Sequence, residues 1–286
     1  MKKAETHPTS VSARLARSLR GLSRVRGWAR VANAIAPPQD APFVVKNRFG
    51  LFAGNLSSYI DRHMYVHGGY EDPDLDAFFG TVPQERRETI LDIGANVGTH
   101  SLAFARHFNR VHAFEPNPAV WPNFERNVAL NGLANVTLHK VGLGGRDGEL
   151  PFFSISKDNY GLGTVSTVEQ YDKPLKQIGV VSVRSGEDYL REHAINCIDA
   201  MKIDVQRYEP EVLRGLAPII RRDRPYIWIA IDSADGAEAV RGVFDCPIQL
   251  LRFRRGGRLI HRTSLVDVDP HALTVGDYLV LPTLRQ

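Results

Sequence analysis

The sequence predicts an α/β fold, a mostly parallel sheet covered by helices on both faces and ending in an antiparallel hairpin. Three observations lead there. From Glu88 onward, short apolar runs of strand length alternate with segments whose apolar residues recur every three or four positions. The first run, Thr89 to Ile93, enters a turn bearing Gly94 and Gly98 and then a helix, and an acid, Glu115, closes the second run. Glycines in such a turn let the backbone approach a ligand, and a carboxylate after the next strand accepts hydrogen bonds from ribose hydroxyls. Finally, Ile248 to Phe253, the turn Arg254-Arg255-Gly256-Gly257, and Arg258 to Ile260 read as a hairpin.

The elements follow in order. Phe43 to Asn47 reads as a short strand, and Asn55 to Gly80 mixes helical and turn signals. Within it, His67-Gly68-Gly69-Tyr70-Glu71 reads as a tight loop before a helix from Pro73 to Phe79, or as a segment covering the first strand's carboxyl end. Strand Thr89 to Ile93 leads to helix Thr99 to Phe108, and strand Arg110 to Phe114 to helix Pro118 to Asn131, which opens on a proline and stops at Gly132. Val136 to Val141 is the third strand, Leu150 to Ile155 an antiparallel extra, and Val180 to Val183 a further short strand before the helix Glu187 to His193. Ile198 to Val205, the helix Pro210 to Leu216, Pro225 to Ile231 and the helix Ala234 to Phe244 continue the alternation. Asp277 to Leu281 supplies the last strand.

The charge is unevenly placed. The chain has 286 residues, a formal charge of +4 and a pI near 9.1. Residues 1–36 carry eight lysines and arginines against Glu5 alone, so the remaining residues are net −3. A mildly acidic body argues against a polyanion-binding fold, and nucleic acid is not an expected partner. Cys197 and Cys246 form no metal spacing and no framework of bridges, and the location expected is cytoplasmic. No apolar run is long enough for a spanning helix.

Leu15, Leu19, Leu22, Val25, Trp28, Ala29, Ala32 and Ile35 recur at helical spacing, predicting one basic amphipathic helix over residues 10–36. It reads either as a solvated tail or as a contact to a partner or an anionic membrane surface, which would make the protein peripheral at the membrane. Pro37 to Pro42 reads as a linker. The expected organisation is therefore an N-terminal segment, 1–36, a linker, 37–42, and one domain, 43–286, of which 43–87 forms a cap or lid portion.

The glycine turn does not suit a dinucleotide. A pyrophosphate fingerprint needs G-x-G-x-x-G, and here Asn96 and Thr99 occupy the second and third glycine positions. The pattern is D-x-G-x-N-x-G, with Asp92 as the last polar residue of the strand. An acid there suits a cationic amino acid moiety and would repel a phosphate. Motifs for serine hydrolases, P-loop nucleotidases and zinc peptidases are absent, and no metal site is expected from the scattered histidines. Among these, His100 stands directly after the turn.

Taken together, Leu91 to Gly98, Ala113 to Pro118 with Asn127 and Asn131 downstream, and Met201 to Val205 with Glu209 and Val212-Leu213 make the chain resemble the FkbM family of methyltransferases. The resemblance runs from Tyr65 to Leu281. It implies a Rossmann-like class I methyltransferase sheet, S-adenosylmethionine as cofactor, and transfer to a hydroxyl of a small-molecule, glycan or lipid-linked acceptor. Carried over, Asp92, Gly94, Ala95, Asn96 and Gly98 would surround the methionine moiety, Glu115 and Pro116 the ribose, and Gly142 and Leu143 the adenine.

Lys202 and Asp204, two apart on one strand, project to the same side. Asp204 is the expected base or metal ligand, and Asp232 stands where a glutamate is expected. Glu71, Arg207 and Glu209 are the candidate acceptor contacts. The family usually reads D-V-E-G-x-E after this strand, whereas this chain has Asp204-Val205-Gln206-Arg207-Tyr208-Glu209. That departure leaves a second reading, a catalytically weakened protein of the same fold that binds cofactor or a partner. Oligomeric state has no signal in the sequence.

Overall fold

A computed structural model describes residues 5–8, 10–23, 25, 27–155, 163–165, 175–256 and 262–282. Two short helices come first, α1 (Val11–Ser18) and α2 (Trp28–Ile35). Ser10 caps α1, its hydroxyl accepting from Ala13 N at 3.3 Å. The single helix expected over 10–36 is thus interrupted, by a 3₁₀ turn at Arg20–Leu22 and by Gly27 at φ +89°. Its apolar face is also divided. Small or flat residues, Ala13, Ala16, Trp28 and Ala32, are buried, while Leu15, Leu19, Leu22 and Val25 point outward. The reason is space, because the inner layer is already filled by Phe43, Phe52 and Tyr65.

The chain then forms an antiparallel hairpin of β1 (Pro42–Asn47) and β2 (Gly50–Asn55), followed by α3 (Tyr59–His67) and α4 (Asp72–Thr81). Ser58 caps α3 and Gly68, at φ +82°, ends it. The outer edge of β1 is bridged by Thr6, whose backbone exchanges hydrogen bonds with Val44 at 2.8 and 2.9 Å.

The main sheet begins at β3 (Thr89–Ile93), whose five residues are all buried, as the strand at the centre of a two-faced sheet should be. Helix α5 (Thr99–Phe104), β4 (Arg110–Phe114), α6 (Trp121–Asn131) and β5 (Val136–His139) follow. The second helix starts at Trp121 rather than at the expected Pro118. A small separate sheet comes next, from β6 (Gly142–Gly144), β7 (Gly148–Ser154), β8 (Gly163–Thr164) and β9 (Lys176–Ser185), in the order β6-β9-β7-β8. Helix α7 (Gly186–Glu192) returns the chain to the main sheet.

There it adds β10 (Ala200–Ile203), α8 (Glu209–Asp223), β11 (Tyr226–Ile231), α9 (Ala234–Val243), β12 (Ile248–Gly256), β13 (Arg262–Val268) and β14 (Gly276–Pro282). The strand order is β13-β12-β14-β11-β10-β3-β4-β5. Strands β11, β10, β3, β4 and β5 are parallel, and β14, β12 and β13 are antiparallel. This is the expected α/β class I architecture. The expected Arg258 to Ile260 strand lies outside the described residues, and the observed return strand begins at Arg262.

Topology decides where a ligand can sit. From β3 the chain moves outward through β4 and β5, then crosses to the other side of β3 to lay down β10 and β11. The order therefore reverses between β3 and β10, and a crevice opens beyond their carboxyl ends. In that pair Asp92 faces Lys202 in register, and Lys202 in turn faces Trp228 of β11.

An aromatic cluster fixes this centre. Trp228 is 2% exposed and packs on Phe78 of α4 and Phe253 of β12 at ring distances of 5.8 and 5.2 Å. Burying such a side chain is worth about 3 kcal/mol. Asparagines of α6 tie the hairpin to the same centre. Asn127 accepts from Ala53 N at 2.7 Å and donates to Val97 O at 3.0 Å, while Asn131 both accepts from Leu51 N and donates to Leu51 O at 2.7 Å.

Candidate active site

The crevice holds a pocket of about 130 Å³. One wall is the turn after β3, Gly94, Ala95 and Asn96. A second is Glu115 and Pro116 after β4, and a third Gly142 and Leu143 at β6. Each comes from a different strand end, and the parallel sheet brings them together. Seven of the nine residues carried over for the cofactor therefore line one space. Asp92 and Gly98 do not: Asp92 is fully buried beneath the turn, and Gly98 packs under Phe124.

The turn is shaped by backbone sterics. Gly94 sits at φ +87°, and a Cβ added there would stand 2.0 Å from the Asp204 carbonyl oxygen. Its N–H and that of Ala95 both donate to Phe114 O, at 2.9 and 3.1 Å, which closes the turn against β4. Asn96 takes the left-handed conformation that asparagine tolerates, at φ +51°. Beneath it, Ser101 donates to Asp92 Oδ2 at 2.5 Å, and Asp92 Oδ1 is buried with no hydrogen-bond partner among the described residues. An unsatisfied carboxylate oxygen under this turn suits a cationic ligand group.

Glu115 is held as an acceptor. Its Oε2 receives Asn96 N–H and its Oε1 receives Asn117 N–H, each at 2.8 Å. Burial, only partly offset by those two bonds, raises its pKa to about 7. The side chain is thus a fixed carboxyl at the pocket wall, ready to take hydroxyl donors.

The other half of the pocket is charged. Lys202, 2% exposed, donates to Asp204 Oδ2 at 3.2 Å, and Gln206 Nε2 donates to Asp204 Oδ1 at 3.1 Å. Burial works against the Lys202 ammonium, yet Asp204, Asp92 and Glu71 outweigh it and raise its pKa above the ordinary lysine value. Lys202 is therefore a fixed cation and not a proton acceptor. Beside it stand Tyr70, Ile60 and His100. His100 Nε2 lies 3.2 Å from Glu71 Oε2, an ion-pair distance without hydrogen-bond alignment. Burial alone would raise the Glu71 pKa, but His100, Lys202 and Arg255 hold it at about 2.

Arg255 organises this rim from the far end of the chain. Its guanidinium reaches Glu71 at 3.3 Å, Asp74 at 2.5 Å and Asp277 at 2.9 Å, and Thr263 donates to Asp74 at 2.6 Å. The antiparallel hairpin thus fastens α4 and the Tyr70–Glu71 segment over the crevice. Glu71 itself points to His100 and Arg255 and does not line the pocket.

Glu209, Arg207 and Asp232 also lie off the pocket. Glu209 is fully buried and accepts from Arg207 N at 3.1 Å, and burial with Asp232 nearby raises its pKa to about 8. Asp232 is half-buried at the end of β11, its pKa raised by burial and Asp204. Gln206 and Arg207 both adopt positive φ, +56° and +74°. Arg207 thus occupies a left-handed position at the turn where the family pattern has glycine. Arg207→Gly removes a strain of about 1–2 kcal/mol while adding about 0.5–1 kcal/mol of unfolded-state entropy. The attraction of the Arg207 guanidinium to Asp232 is lost as well, so the expected net is a change of no more than about 0.5 kcal/mol by denaturant titration. A larger loss of stability would show that the Arg207 side chain holds the turn.

Residues that sequence reasoning did not single out also line the site, from the small sheet: Phe152, Thr164 and Val183. Thr164 Oγ1 donates to Gln206 O at 2.7 Å, so this sheet is fastened to the turn after β10. Nothing in a two-residue strand such as β8 announces itself by periodicity. Tyr70 was visible, inside the Gly69-Tyr70-Glu71 segment. Among the described residues no three His, Cys, Asp or Glu side chains converge as metal ligands.

Comparison with known proteins gives the geometry a context. Residues 92–246, more than half of the chain, match the model described as the methyltransferase FkbM domain. Methyltransferase 1 of Beauveria bassiana is 28% identical over 158 residues, covering 50% of this chain and 64% of that protein. Methyltransferase sdnD of Sordaria araneosa is 30% identical over 191 residues, 57% of this chain and 74% of that one. Hexuronic acid methyltransferase AglP of Haloferax volcanii is 28% identical over 132 residues, 46% of this chain and 51% of that one. The chain thus spans less than two thirds of the first relative and about half of the third.

Proposed function

Because the chain belongs to the FkbM methyltransferase family, we propose that it transfers a methyl group from S-adenosylmethionine to a hydroxyl oxygen of a small-molecule or glycan acceptor. The observation that carries this reading is the convergence of the Gly94 turn, Glu115 and Gly142–Leu143 on one pocket at the sheet's switch point. S-adenosylmethionine, the family's cofactor, supplies an electrophilic methyl on a sulfonium when bound.

The residues present fit that cofactor. The unpartnered Asp92 Oδ1 lies under the turn where a cationic amino acid moiety would be held. Glu115 offers a carboxylate to ribose hydroxyls, and Gly94 and Gly142 leave room for close approach.

On the acceptor side, Asp204 is our first candidate to take the hydroxyl proton, with Lys202 holding its carboxylate in place. His100, next to Glu71 and lining the same space, is the other group able to accept one. The hexuronic acid methyltransferase among the relatives favours a carbohydrate acceptor. A second reading rests on one observation: both Asp204 oxygens already accept hydrogen bonds, one of them from Gln206, where the family pattern has an acid. In that reading the protein binds the cofactor or a partner but turns over weakly.

Calorimetric titration with S-adenosylmethionine and NAD tests the cofactor, and S-adenosylmethionine is expected to bind the more tightly. The ribose contact needs ionised Glu115, whose pKa in the free protein is about 7. Affinity is therefore full at alkaline pH and falls as pH drops through 7, by about tenfold between pH 8 and pH 6. Tighter binding of NAD, or an affinity indifferent to pH, would overturn the assignment. Release of S-adenosylhomocysteine with a panel of sugars and uronic acids tests the enzyme. Cofactor binding without turnover on any of them would favour the second reading.

A further inference from the structure

Where α1 meets the β1–β2 hairpin and α3 there is a second cleft, of about 950 Å³. Its walls carry Arg14, Arg17, Arg20, Lys46 and Arg48 against one acid, Glu5. Arg48 is tied to Asp76 on α4, and Glu5 stands 3.6 Å from Arg17, so the cleft as a whole carries more cations than acids. Arg17 is nearly buried. Its guanidinium donates to Tyr65 O at 2.8 Å and Lys46 O at 3.4 Å, and Glu5 is 3.6 Å away. Carbonyls satisfy its N–H groups without cancelling its charge, and burial together with the neighbouring Arg20 lowers its pKa. An arriving anion would be stabilised there.

Beside the cleft runs an aliphatic row. Val11, Leu15, Leu19, Leu22 and Val25 are each between 38% and 73% exposed. The spacing sets Val11 and Leu15 along one line of α1, with Leu19 and Leu22 continuing past its end. Arg14, Ser18 and Gly21, one residue before three of them, edge the cleft. The aliphatic row thus borders a cation-lined cleft, an arrangement that an anionic amphiphile matches in both halves.

We infer that this face docks on an anionic lipid surface, the aliphatic row entering the headgroup–acyl boundary and the cleft receiving a headgroup phosphate. Charge complementarity selects this occupant: a second copy docking by the same face would bring its own cations to the cleft. The docking stands whatever reaction the protein catalyses. Its consequence for the reaction rests on the methyl-transfer reading. His67 in the cleft wall stacks on His63 at 4.2 Å, His63 meets Tyr70 at 5.4 Å, and Tyr70 lines the active pocket. One short aromatic column thus joins the docking face to the transfer site, which suits an acceptor carried on a lipid.

Co-sedimentation of the full chain with vesicles tests the inference. Vesicles of phosphatidylcholine with one third phosphatidylglycerol are expected to bind at least about tenfold more tightly than phosphatidylcholine alone, and salt should weaken the binding. Each of Arg20→Gln and Lys46→Gln should cost about fivefold, and Leu15→Ser/Leu19→Ser/Leu22→Ser at least tenfold. These residues are exposed or at the cleft edge, so calorimetric S-adenosylmethionine affinity and the melting temperature should stay unchanged and serve as fold controls. Equal binding to neutral and anionic vesicles would overturn the proposal, as would no binding at all. Saturable binding of inorganic phosphate without vesicle binding would reassign the cleft to a soluble phosphorylated ligand. Self-association abolished by the triple substitution would reassign the row to a dimer contact.

Discussion

Gly94→Ala is expected to weaken S-adenosylmethionine binding at least about a hundredfold, a loss of roughly 3 kcal/mol, and to lower the melting temperature. Two costs combine. Alanine at φ +87° adopts a left-handed conformation that costs about 1–2 kcal/mol, and its Cβ would stand 2.0 Å from the Asp204 carbonyl oxygen. That oxygen belongs to the strand end carrying the proposed proton acceptor, and Asp204 N–H in turn donates to Ile93 O at 3.0 Å. Relief of the overlap must part β3 from β10 at the crevice, which displaces the cofactor wall and the acceptor wall together. Titration calorimetry reads the first effect, and thermal melting the second. Affinity within threefold of the unsubstituted protein would show that the turn is not the cofactor's cradle.

Asp204→Asn is expected to lower turnover by about a hundredfold to ten-thousandfold while leaving S-adenosylmethionine affinity within about threefold. The amide keeps an oxygen for the Lys202 ammonium, so the buried cation retains a partner, but it cannot take a proton. Affinity is spared because the substitution leaves in place the Asp204 backbone that packs on Gly94 and the two N–H bonds that hold Glu115. Unchanged turnover would remove Asp204 as base and transfer that role to His100, where His100→Gln becomes the decisive variant. The split between binding and turnover matters. A merely structural role for Asp204 would move stability and both constants together.

The parallel half of the fold was legible because each of its strands carries its own signal. Thr89–Ile93, buried throughout, and Arg110–Phe114, buried at Val111, Ala113 and Phe114, match expectation residue for residue, since each is a short run bounded by turns. Helix α8, read from Pro210 to Leu216, runs on to Asp223 although Pro218 inside it forgoes one hydrogen bond. The burial of Ile219 and Ile220 against the sheet outweighs that loss.

The N-terminal segment was read as one amphipathic helix with its apolar residues along a single face. Tight packing instead admitted the small residues Ala13, Ala16 and Ala32 and left Leu15, Leu19 and Leu22 outside. The candidate site divides in the same way. Cofactor contacts sit in short contiguous motifs after strands and could be read locally. Arg255, which fastens Glu71 over the crevice, is 184 residues away from it in sequence and has no local signature. Positive φ at Gln206 and Arg207 likewise follows from the turn's tertiary setting rather than from residue preference.

The paired asparagines of α6 have a consequence for the life of the free chain. A two-stranded ribbon ordinarily leaves rows of peptide groups open on its flanks, and such rows recruit strands from other molecules. Here the side-chain amides of Asn127 and Asn131, each a copy of a peptide group, occupy the open flank of β2, while Thr6 occupies that of β1. Leu51, Ala53 N–H and Val44 thus find partners on the two flanks without a third strand, which lowers the aggregation hazard of the ribbon.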